Sequence, residues 1–380
     1  MCSAPTSVTN PPILISGAGP VGLTTALALH QRGHAVRVID AKPAAAAQTD
    51  PRAIALAHGS RLILERLGVW QRVVATPIAH IHVSQQGGFG QTRIEAADYQ
   101  LDALGYVARL GALTSTLRQA ALDAGIAVDA AHALHGCAGT ADGVSATIRS
   151  AAGEQACAAP LLLIAEGTPA TGAARKDYRQ TAVVCEAWSD EPHEGRAFER
   201  FTSAGPLALL PLERGFCIVW CMRDEQARAL LALDDAAFRA RLTQATSFAQ
   251  RSWHRVAARA AFPLALVQAA ATVQPRCIAL GNAAQTLHPV AGQGLNLGLR
   301  EAFELAQAME RGVTDAALTR FATQRARDRS ATIRLTGQTV ALFSNQLVPL
   351  RVARGAGLAL FNLLPPLRRV MARRMMFGVR

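Results

Sequence analysis

The sequence predicts an α/β protein in which a Rossmann-like domain is interleaved with a β-sheet domain and followed by a C-terminal helical segment. Three observations indicate this fold class. A strand, a glycine-rich turn and a helix follow one another from residue 13, and a second apolar strand enters a glycine-rich stretch near residue 281. Strand-like runs dominate between residues 178 and 262. With 380 residues, half of them hydrophobic, the chain can bury a large core.

The first unit begins with the apolar strand 13–16, which enters Gly17-Ala18-Gly19-Pro20-Val21-Gly22. Gly17 permits a tight turn, and Gly19 lacks the Cβ atom that would block a pyrophosphate. Gly22 allows the following helix to pack closely on the strand. This is the pattern of a phosphate-binding turn.

The residues after this turn complete the unit. The helix extends to Gln31, Gly33 suits its C-terminus, and residues 35–40 form a second strand that ends in Asp40. The Asp40 carboxylate can accept hydrogen bonds from ribose hydroxyls. GxGxxG alone is a weak signal, and a glycine-rich turn without a ligand is the alternative. The complete order of strand, turn, helix, strand and acid favours dinucleotide binding.

A second segment decides which dinucleotide is expected. Residues 277–280 form an apolar strand, and Gly281 permits the sharp turn after it. Gly292 and Gly294 then allow backbone N–H groups to approach a ligand where a helix begins. A nicotinamide dehydrogenase needs only the first unit, so the second glycine-rich segment favours FAD.

Three positions between these segments are further candidates for contact with the cofactor. Arg52 and Arg109 could each offer a guanidinium group, although both could equally be surface arginines. A strand over 161–167 ends in Glu166-Gly167, where an acid and a glycine suit another approach to the cofactor.

These patterns divide the chain into three parts. We assign residues 1–75, 98–175 and 270–335 to the FAD-binding domain. Residues 76–97 and 176–269 form the substrate domain, and residues 336–380 form the C-terminal helical segment. The strand-rich middle block is the natural place for a substrate site because the glycine motifs lie outside it.

Composition narrows the classes of partner. The formal charge is +12, but the arginines are scattered and no basic motif is interleaved with aromatic residues, so we expect no nucleic-acid partner. Residues 1–10 lack the pattern of a secretory signal, which predicts a cytoplasmic protein. The seven cysteines form no CxxC pair, so we expect reduced thiols and no metal site.

The C-terminal segment combines arginines with leucine-rich runs. No apolar run there reaches the roughly 18 residues that span a bilayer. Arg351, Arg354 and Asn362 would share one helix face while leucines cover the other, which suits contact with anionic lipid or with a protein partner. A helix that packs on its own domain is an equal alternative.

The motifs carry a resemblance that runs nearly end to end. The chain resembles the FAD-dependent aromatic hydroxylases of the para-hydroxybenzoate hydroxylase type, with GxGxxG at Gly17 and counterparts of two further motifs at Glu166-Gly167 and Gly281-Asn282. Within that family, the chain is most similar to the ubiquinone-biosynthesis branch and its 2-polyprenyl-6-methoxyphenol hydroxylases. The similarity lies in the motif Gly-Asn-Ala-Ala-Gln-Thr-Leu-His-Pro, which is followed by Gly-Gln-Gly. Glu166 and Asn282 each replace the usual Asp of the broad family.

The resemblance implies a chemistry and a set of partners. Reduced FAD would react with O₂ to give a C4a-hydroperoxide, which hydroxylates a polyprenylated methoxyphenol in ubiquinone biosynthesis. NAD(P)H or another reductant would supply the electrons, and no metal is needed. The resemblance also allows association with other ubiquinone-biosynthesis proteins and peripheral contact with the inner membrane. The ring position and the tail length stay open.

It also implies roles for the residues of the second segment. Pro289 would shape the reaction space, and the backbone of Gly292, Gln293 and Gly294 would stabilise negative charge on the flavin. Leu295 and Asn296, at the start of the following helix, would complete the contact with the cofactor. His288 could help to deprotonate a phenol, but a structural role is the favoured interpretation.

Two other functions share some of these features. A flavin hydroxylase of a small soluble phenol would carry every cofactor motif and need no basic C-terminus. A non-enzymatic relative that binds prenylated proteins would not need the second glycine-rich segment.

Overall fold

The first glycine turn belongs to a largely parallel sheet. The computed structural model describes residues 11–45, 50, 52–87, 90–140, 142–169, 173–246, 251–269, 272–289, 292–343, 355–357, 360 and 362–378. The strand order in this nucleotide sheet is β19-β20-β12-β1-β2-β8, and only β19 is antiparallel to its neighbour. The strands are β1 (Ile13–Ser16), β2 (Val36–Asp40), β8 (Ala127–Ala130), β12 (Leu162–Ile164), β19 (Val273–Gln274) and β20 (Cys277–Ala279).

The middle of the nucleotide sheet is buried on both faces, as continuous apolar runs in parallel strands require. Ile15 in β1 pairs with Leu163 in β12 and with Val38 in β2, and all three side chains are fully buried. The expected strands at the two glycine segments are confirmed to within one residue. The strand expected over 161–167 is confirmed as well, but it ends three residues earlier, at Ile164.

A second, mostly antiparallel sheet dominates the middle of the chain. The order of this substrate sheet is β21-β18-β13-β16-β15-β14-β5-β6, and β17 pairs with β13. Its strands are β5 (His80–Gln85), β6 (Gln91–Glu95), β13 (Ala174–Ser189), β14 (Arg196–Phe201), β15 (Pro206–Leu212), β16 (Gly215–Arg223), β17 (Trp253–Val256), β18 (Ala260–Gln268) and β21 (Gln285–Thr286). The strand character expected for the middle block is confirmed, while the domain boundaries stay a prediction.

Two smaller sheets complete the β structure. The first has the order β3-β7-β4 and comprises β3 (Ala53–Ala57), β4 (Thr76–Ile78) and β7 (Gly105–Arg109). The second comprises β9 (Ala133–Gly139), β10 (Val144–Ser150) and β11 (Gly153–Ala159). The sequence predicts a hairpin with a strand over 144–148 and a turn near Gly153, and β10 and β11 form it. The residues of β3 are compatible with strand or loop by sequence, and pairing with β7 makes them a strand.

The helices cover both large sheets. They are α1 (Pro20–His30), α2 (His58–Arg66), α3 (Leu110–Asp123), α4 (Asp224–Leu231), α5 (Asp235–Ala245), α6 (Gln293–Ala308), α7 (Asp315–Phe343) and α8 (Pro365–Phe377). Helices α4 and α5 pack Leu230 and Phe238 into the core on one face of the substrate sheet. The sequence predicts one helix in this block, near residues 235–245, which corresponds to α5. It does not predict α4, which is only eight residues long.

The C-terminal segment packs partly on the rest of the chain. In α8, Ala372 and Met376 are buried in a cluster with Ile94 and Leu104. No described helix is long and apolar enough to cross a membrane. The expected shared face of Arg351 and Arg354 lies outside the described residues.

We predict that Leu163→Ala lowers the free energy of unfolding by about 3 kcal/mol, because it opens a cavity between two buried faces. Leu163 is fully buried, whereas Leu363 is 73% exposed, so Leu363→Ala is the matched control. Urea unfolding of both variants tests this, and equal midpoints would contradict the burial of β12.

Candidate active site

A cavity of about 1310 Å³ joins the two glycine segments to the substrate sheet. The residues at one end come from the turns after β1 and β20 and from the start of α6, and those at the other from one face of the substrate sheet. This volume exceeds the roughly 300–1,000 Å³ of an ordinary small-molecule pocket. The cavity therefore has room for a large cofactor and a second ligand.

The turn after β1 has the geometry that its glycines predict. Gly17 has φ +111°, and a Cβ atom there would stand 2.6 Å from the carbonyl oxygen of Ala165. At Gly22 a Cβ atom would meet the carbonyl oxygen of Gly17 at 1.9 Å. At Gly19 it would have no atom within 4 Å, and the residue lines the cavity. Gly17 and Gly22 therefore allow close packing, and Gly19 leaves space for a ligand.

Asp40 and Glu166 lie at the cavity and also hold this turn. The Asp40 carboxylate accepts hydrogen bonds from the backbone N–H groups of Ala18 (2.6 Å) and Lys42 (2.7 Å). The hydroxyl of Ser16 donates to Glu166 at 2.6 Å. A glutamate in place of the usual aspartate thus reaches the end of β1.

The turn after β20 is held from behind. Gly281 has φ +56°, and its N–H donates to the fully buried carboxylate of Glu301 at 2.8 Å. Asn282, the next residue, is exposed and lines the cavity.

Gly292 has φ +59° and caps α6, and Gln293 and Gly294 line the cavity at the helix N-terminus. Amide groups at a helix N-terminus attract negative charge. Pro289 and Leu295 also line the cavity.

The buried side chain of Asn296 connects the start of α6 to β3 and α2. Its amide group donates to the carbonyl oxygens of Ala55 and Gly292, and its oxygen accepts from the N–H of Ala57 and the hydroxyl of Ser60. Asn296 is 2% exposed and is not among the described residues that line the cavity. Asn296 thus fixes the Gly292 turn to β3, and its contact with a cofactor stays a prediction.

The comparisons with known proteins agree with this geometry. Residues 10–335 match the family described as "FAD binding domain". The chain is 33% identical to the ubiquinone hydroxylase UbiL of Rhodospirillum rubrum, over 96% of this chain and 89% of the relative. The chain belongs to the FAD-binding domain family.

Other relatives of this FAD-binding family extend the likeness along the whole chain. The 3-demethoxyubiquinol 3-hydroxylase of Escherichia coli is 31% identical, over 92% of this chain and 95% of the relative. Among solved structures, p-nitrophenol 4-monooxygenase PnpA from Pseudomonas putida has a TM-score of 0.77 at 18% identity, and covers 98% of this chain and 99% of its own. Klebsiella pneumoniae HpxO, complexed with FAD and uric acid, has a TM-score of 0.74 at 18% identity, with 97% of each chain covered.

The cavity fits the cofactor of this family. The turn at Gly19 is open where a pyrophosphate must approach, and Asp40 stands beside it. At the other end, Gly294 has open space where a Cβ atom would stand and lies at the start of α6. The residues present would hold the dinucleotide end and the ring end of FAD, respectively.

The two candidate arginines separate. Arg52 lines the cavity, where its guanidinium pairs with Asp50 at 2.6 Å and lies 5.7 Å from the ring centre of Phe262. Arg109 is not among the described residues that line the cavity, because its guanidinium pairs with Glu186 and Glu213. Arg109 thus connects β7 to the substrate sheet, and its contact with the cofactor stays a prediction.

His288 lies at the cavity as a neutral, buried side chain. It is 1% exposed, its Nε2 atom lies 3.2 Å from the amide oxygen of Gln180, and its ring meets Tyr178 edge-on at 5.2 Å. Burial lowers the pKa of His288 to about 4. This environment supports the structural interpretation of the histidine over a proton-transfer role.

Several cavity residues escaped the sequence analysis. Arg300 on α6 and Arg368 and Arg374 on α8 line the cavity, and the sequence patterns did not predict this position for them. Glu199 on β14 lines it as well. The sequence did contain one signal for Glu199. Ala197, Glu199 and Phe201 alternate along a strand and share one face, and Glu199 is the acid on this otherwise apolar face.

We predict that Gly19→Val abolishes the retention of FAD, because its branched side chain would occupy the open space that the pyrophosphate needs. Gly136→Val is the matched control, because a Cβ atom at Gly136 would also have no atom within 4 Å, but this residue lies on the exposed strand β9. The flavin absorbance of the purified variants measures retention, and a yellow Gly19→Val protein would contradict the placement.

Proposed function

We propose that the protein is a monooxygenase that hydroxylates the ring of a polyprenylated methoxyphenol in ubiquinone biosynthesis. Bound FAD, reduced by NAD(P)H or another donor, supplies the electrons that activate O₂ for transfer of one oxygen atom to the ring. The observation that carries this proposal is the continuity of the cavity, because one space joins the flavin-binding turns to an apolar sheet face. The relatives named as ubiquinone hydroxylases support the substrate class.

The substrate sheet supplies an apolar wall suited to a prenylated ring. The side chains that point into the cavity from its strands include Ile81, Val83, Ile94, Phe201, Leu210 and Val219. Burying a prenyl unit on such a wall stabilises the complex by about 25 cal/mol per Å² of apolar surface removed from water. The same wall excludes water from the reacting ring, which is the protein's main contribution to flavin oxygenation.

The second glycine segment orients the flavin. Gln293 and Gly294 begin α6 and line the cavity, so their amide groups would stabilise negative charge on a flavin ring bound there, and Pro289 would shape the space beside it. An intact second segment of this kind disfavours the non-enzymatic alternative, which needs no flavin chemistry.

The test is a product assay with matched phenols. The FAD-bound protein receives reductant, O₂ and either a 2-prenyl-6-methoxyphenol or the same ring without its prenyl group, and mass spectrometry follows the products. We expect hydroxylation of the prenylated ring with a kcat/KM at least tenfold higher, because each buried CH₂ contributes about 0.8 kcal/mol. Equal kcat/KM values would favour the small-phenol hydroxylase instead, and flavin oxidation without product from either phenol would contradict both.

We predict that Gly294→Leu keeps FAD but uncouples the reaction, because the larger side chain would enter the cavity beside the expected flavin ring. The ratio of hydroxylated product to oxidised reductant should fall several-fold, with hydrogen peroxide released in its place. Gly136→Leu serves as the control outside the cavity. Unchanged coupling in Gly294→Leu would show that the flavin ring lies elsewhere.

The C-terminal helix supports peripheral contact with the inner membrane. On α8, Leu367 and Val370 are 41% and 62% exposed, and Arg369 and Arg373 flank them on the exposed side. Residues at i and i+3 share a helix face, and each arginine near an anionic surface contributes about 1 kcal/mol to binding. A lipid-tailed substrate would enter most readily from that surface. Association with other ubiquinone-biosynthesis proteins is the competing use of this face.

We predict that the double variant Leu367→Asp and Val370→Asp lowers the affinity of the protein for phosphatidylglycerol vesicles by roughly tenfold or more, as measured by sedimentation with the vesicles. Val74→Asp, at a residue that is 77% exposed on a different part of the surface, is the control and should sediment like the parent protein. Loss of binding at high salt should accompany the effect. If the parent protein does not bind anionic vesicles, the membrane role is excluded, and a protein partner is the remaining use of this face.

A further inference from the structure

An acid stands in the middle of the apolar wall of the cavity. Glu199 on β14 is half-buried and lines the cavity together with Ala197 and Phe201, the residues two positions away on either side. Successive side chains on a strand point to opposite faces, so these three share the cavity face. The ring of Phe198 packs into the opposite core, 6.4 Å from the ring of Phe216.

The residues in register with Glu199 are apolar. It pairs with Val83 on β5 and with Ala208 on β15, and Ala208 pairs in turn with Val219 on β16. All of these line the cavity. Within the described part of the chain, no hydrogen bond or ion pair to the Glu199 carboxyl group is found, and burial is the cause of its raised pKa. Such a group loses hydration without gaining a protein partner.

The titratable groups around Glu199 leave its carboxyl group without a counter-charge. On the adjoining strands the titratable group of the cavity face is Cys221, whose thiol pKa is raised by burial and by Glu199, so it stays neutral. Arg200, the next residue, points to the other face and donates to Ser84. The titratable groups that line the cavity from other elements are Asp40, Lys42, Asp50, Arg52, Arg118, Glu166, His288, Arg300, Arg368 and Arg374. None of them contributes to the shift in the pKa of Glu199, which has burial as its cause.

Burial also sets the proton affinity of this acid. The apolar wall raises the pKa of Glu199 to about 7. A carboxyl group with a pKa near the working pH can both accept and return a proton, which is the property of an effective general base. Clustering of a perturbed acid with a substrate cavity is characteristic of functional sites.

We propose that Glu199 is a catalytic residue that accepts a hydrogen bond from the phenolic hydroxyl of the substrate and takes its proton during oxygen transfer. This inference rests on the proposed function. The O–H bond of the phenol breaks, its proton moves to the carboxylate, and its electron pair moves into the ring. A ring carbon ortho or para to the oxygen then forms a C–O bond with one atom of O₂.

The remaining steps balance the reaction. The substituted carbon loses its ring hydrogen as a proton, aromaticity returns, and Glu199 gives its proton back to the phenolic oxygen. The bond between the two oxygen atoms breaks as the C–O bond forms, and reduced FAD supplies two electrons and two protons, as in the proposed function. One of these protons and the proton lost from the ring carbon convert the second oxygen atom to water, and the other proton ends on the new hydroxyl group. Glu199 therefore ends each cycle as it began, and no additional reactant is needed.

The decisive variant is Glu199→Gln, which keeps the size of the side chain and its ability to hydrogen-bond but cannot take a proton. We expect product formation to fall by roughly 10²-fold or more, as for loss of a general base, with FAD content and the rate of flavin reduction unchanged. In the parent protein the rate of product formation should rise with pH through about 7, and this rise should be absent in the variant. Glu310→Gln, at an exposed glutamate, is the matched control.

Substrate acidity provides a rescue test. A fluorinated analogue of the same methoxyphenol, ionised at the assay pH, has no proton for Glu199 to take, so the defect of Glu199→Gln should shrink with it. A defect of equal size for both phenols would overturn the proton-transfer role. Failure of the parent protein to hydroxylate any phenol would instead refute the proposed function, so the two failures are distinguishable.

A measurement without turnover tests the same environment. Because the folded protein raises the pKa of Glu199, the native state binds this proton more tightly than the unfolded chain, and stability is lost as pH rises towards about 7. Glu199→Gln should therefore raise Tm relative to the parent protein at pH 8 and change it little at pH 5. An equal change in Tm at both pH values would overturn the inference. If Glu199→Gln does not fold, Glu199→Met takes its place in the rescue test, because it removes the carboxyl group, is similar in size and suits the apolar wall.

Discussion

The close packing of α1 against the turn after β20 and the start of α6 is the constraint on which the site depends. A Cβ atom at Gly281 or at Gly298 would stand 3.0 Å or 2.6 Å from a methyl carbon of Val21. Glycine at both positions lets segments from opposite ends of the chain meet within one cavity. Without this approach, neither glycine turn could contribute to the same bound cofactor, because each supplies only one end of the dinucleotide site.

Buried charges hold this junction from behind. Glu301 is fully buried, accepts from the N–H of Gly281 and pairs with Arg325 and Arg329 on α7. An isolated buried carboxylate would be strongly unfavourable, so the arginines are what make its position tolerable. At the Gly292 turn, an uncharged side chain gives the same support, because the amide group of Asn296 donates to the carbonyl oxygen of Gly292. Because the supports lie on the core side, the amide groups on the cavity side remain available for a ligand.

The two ends of the cavity therefore differ in their chemistry. The cofactor end consists of backbone at glycine turns and a helix N-terminus, which suits phosphate groups and a flavin ring but carries little selectivity for a substrate. The substrate end is a sheet face whose side chains can vary without disturbing the turns, because the opposite face carries the packing core around Phe216. Differences among relatives that share the cofactor turns can then reside in positions such as Glu199.

The sequence by itself determined the features whose cause is local. Gly17, Gly19 and Gly22 act through their own backbone, and an apolar run such as 161–164 can be satisfied only by burial, so the turns, most elements and the cofactor were predictable from the residues and their resemblance. Tertiary structure decided every feature that depends on which distant groups meet. It paired Arg109 with Glu186, placed Asn296 behind a turn and brought Arg368 to the cavity. Glu199 acquires its significance only when separate strands surround it with apolar side chains, because the proton affinity of a carboxyl group is set by its surroundings.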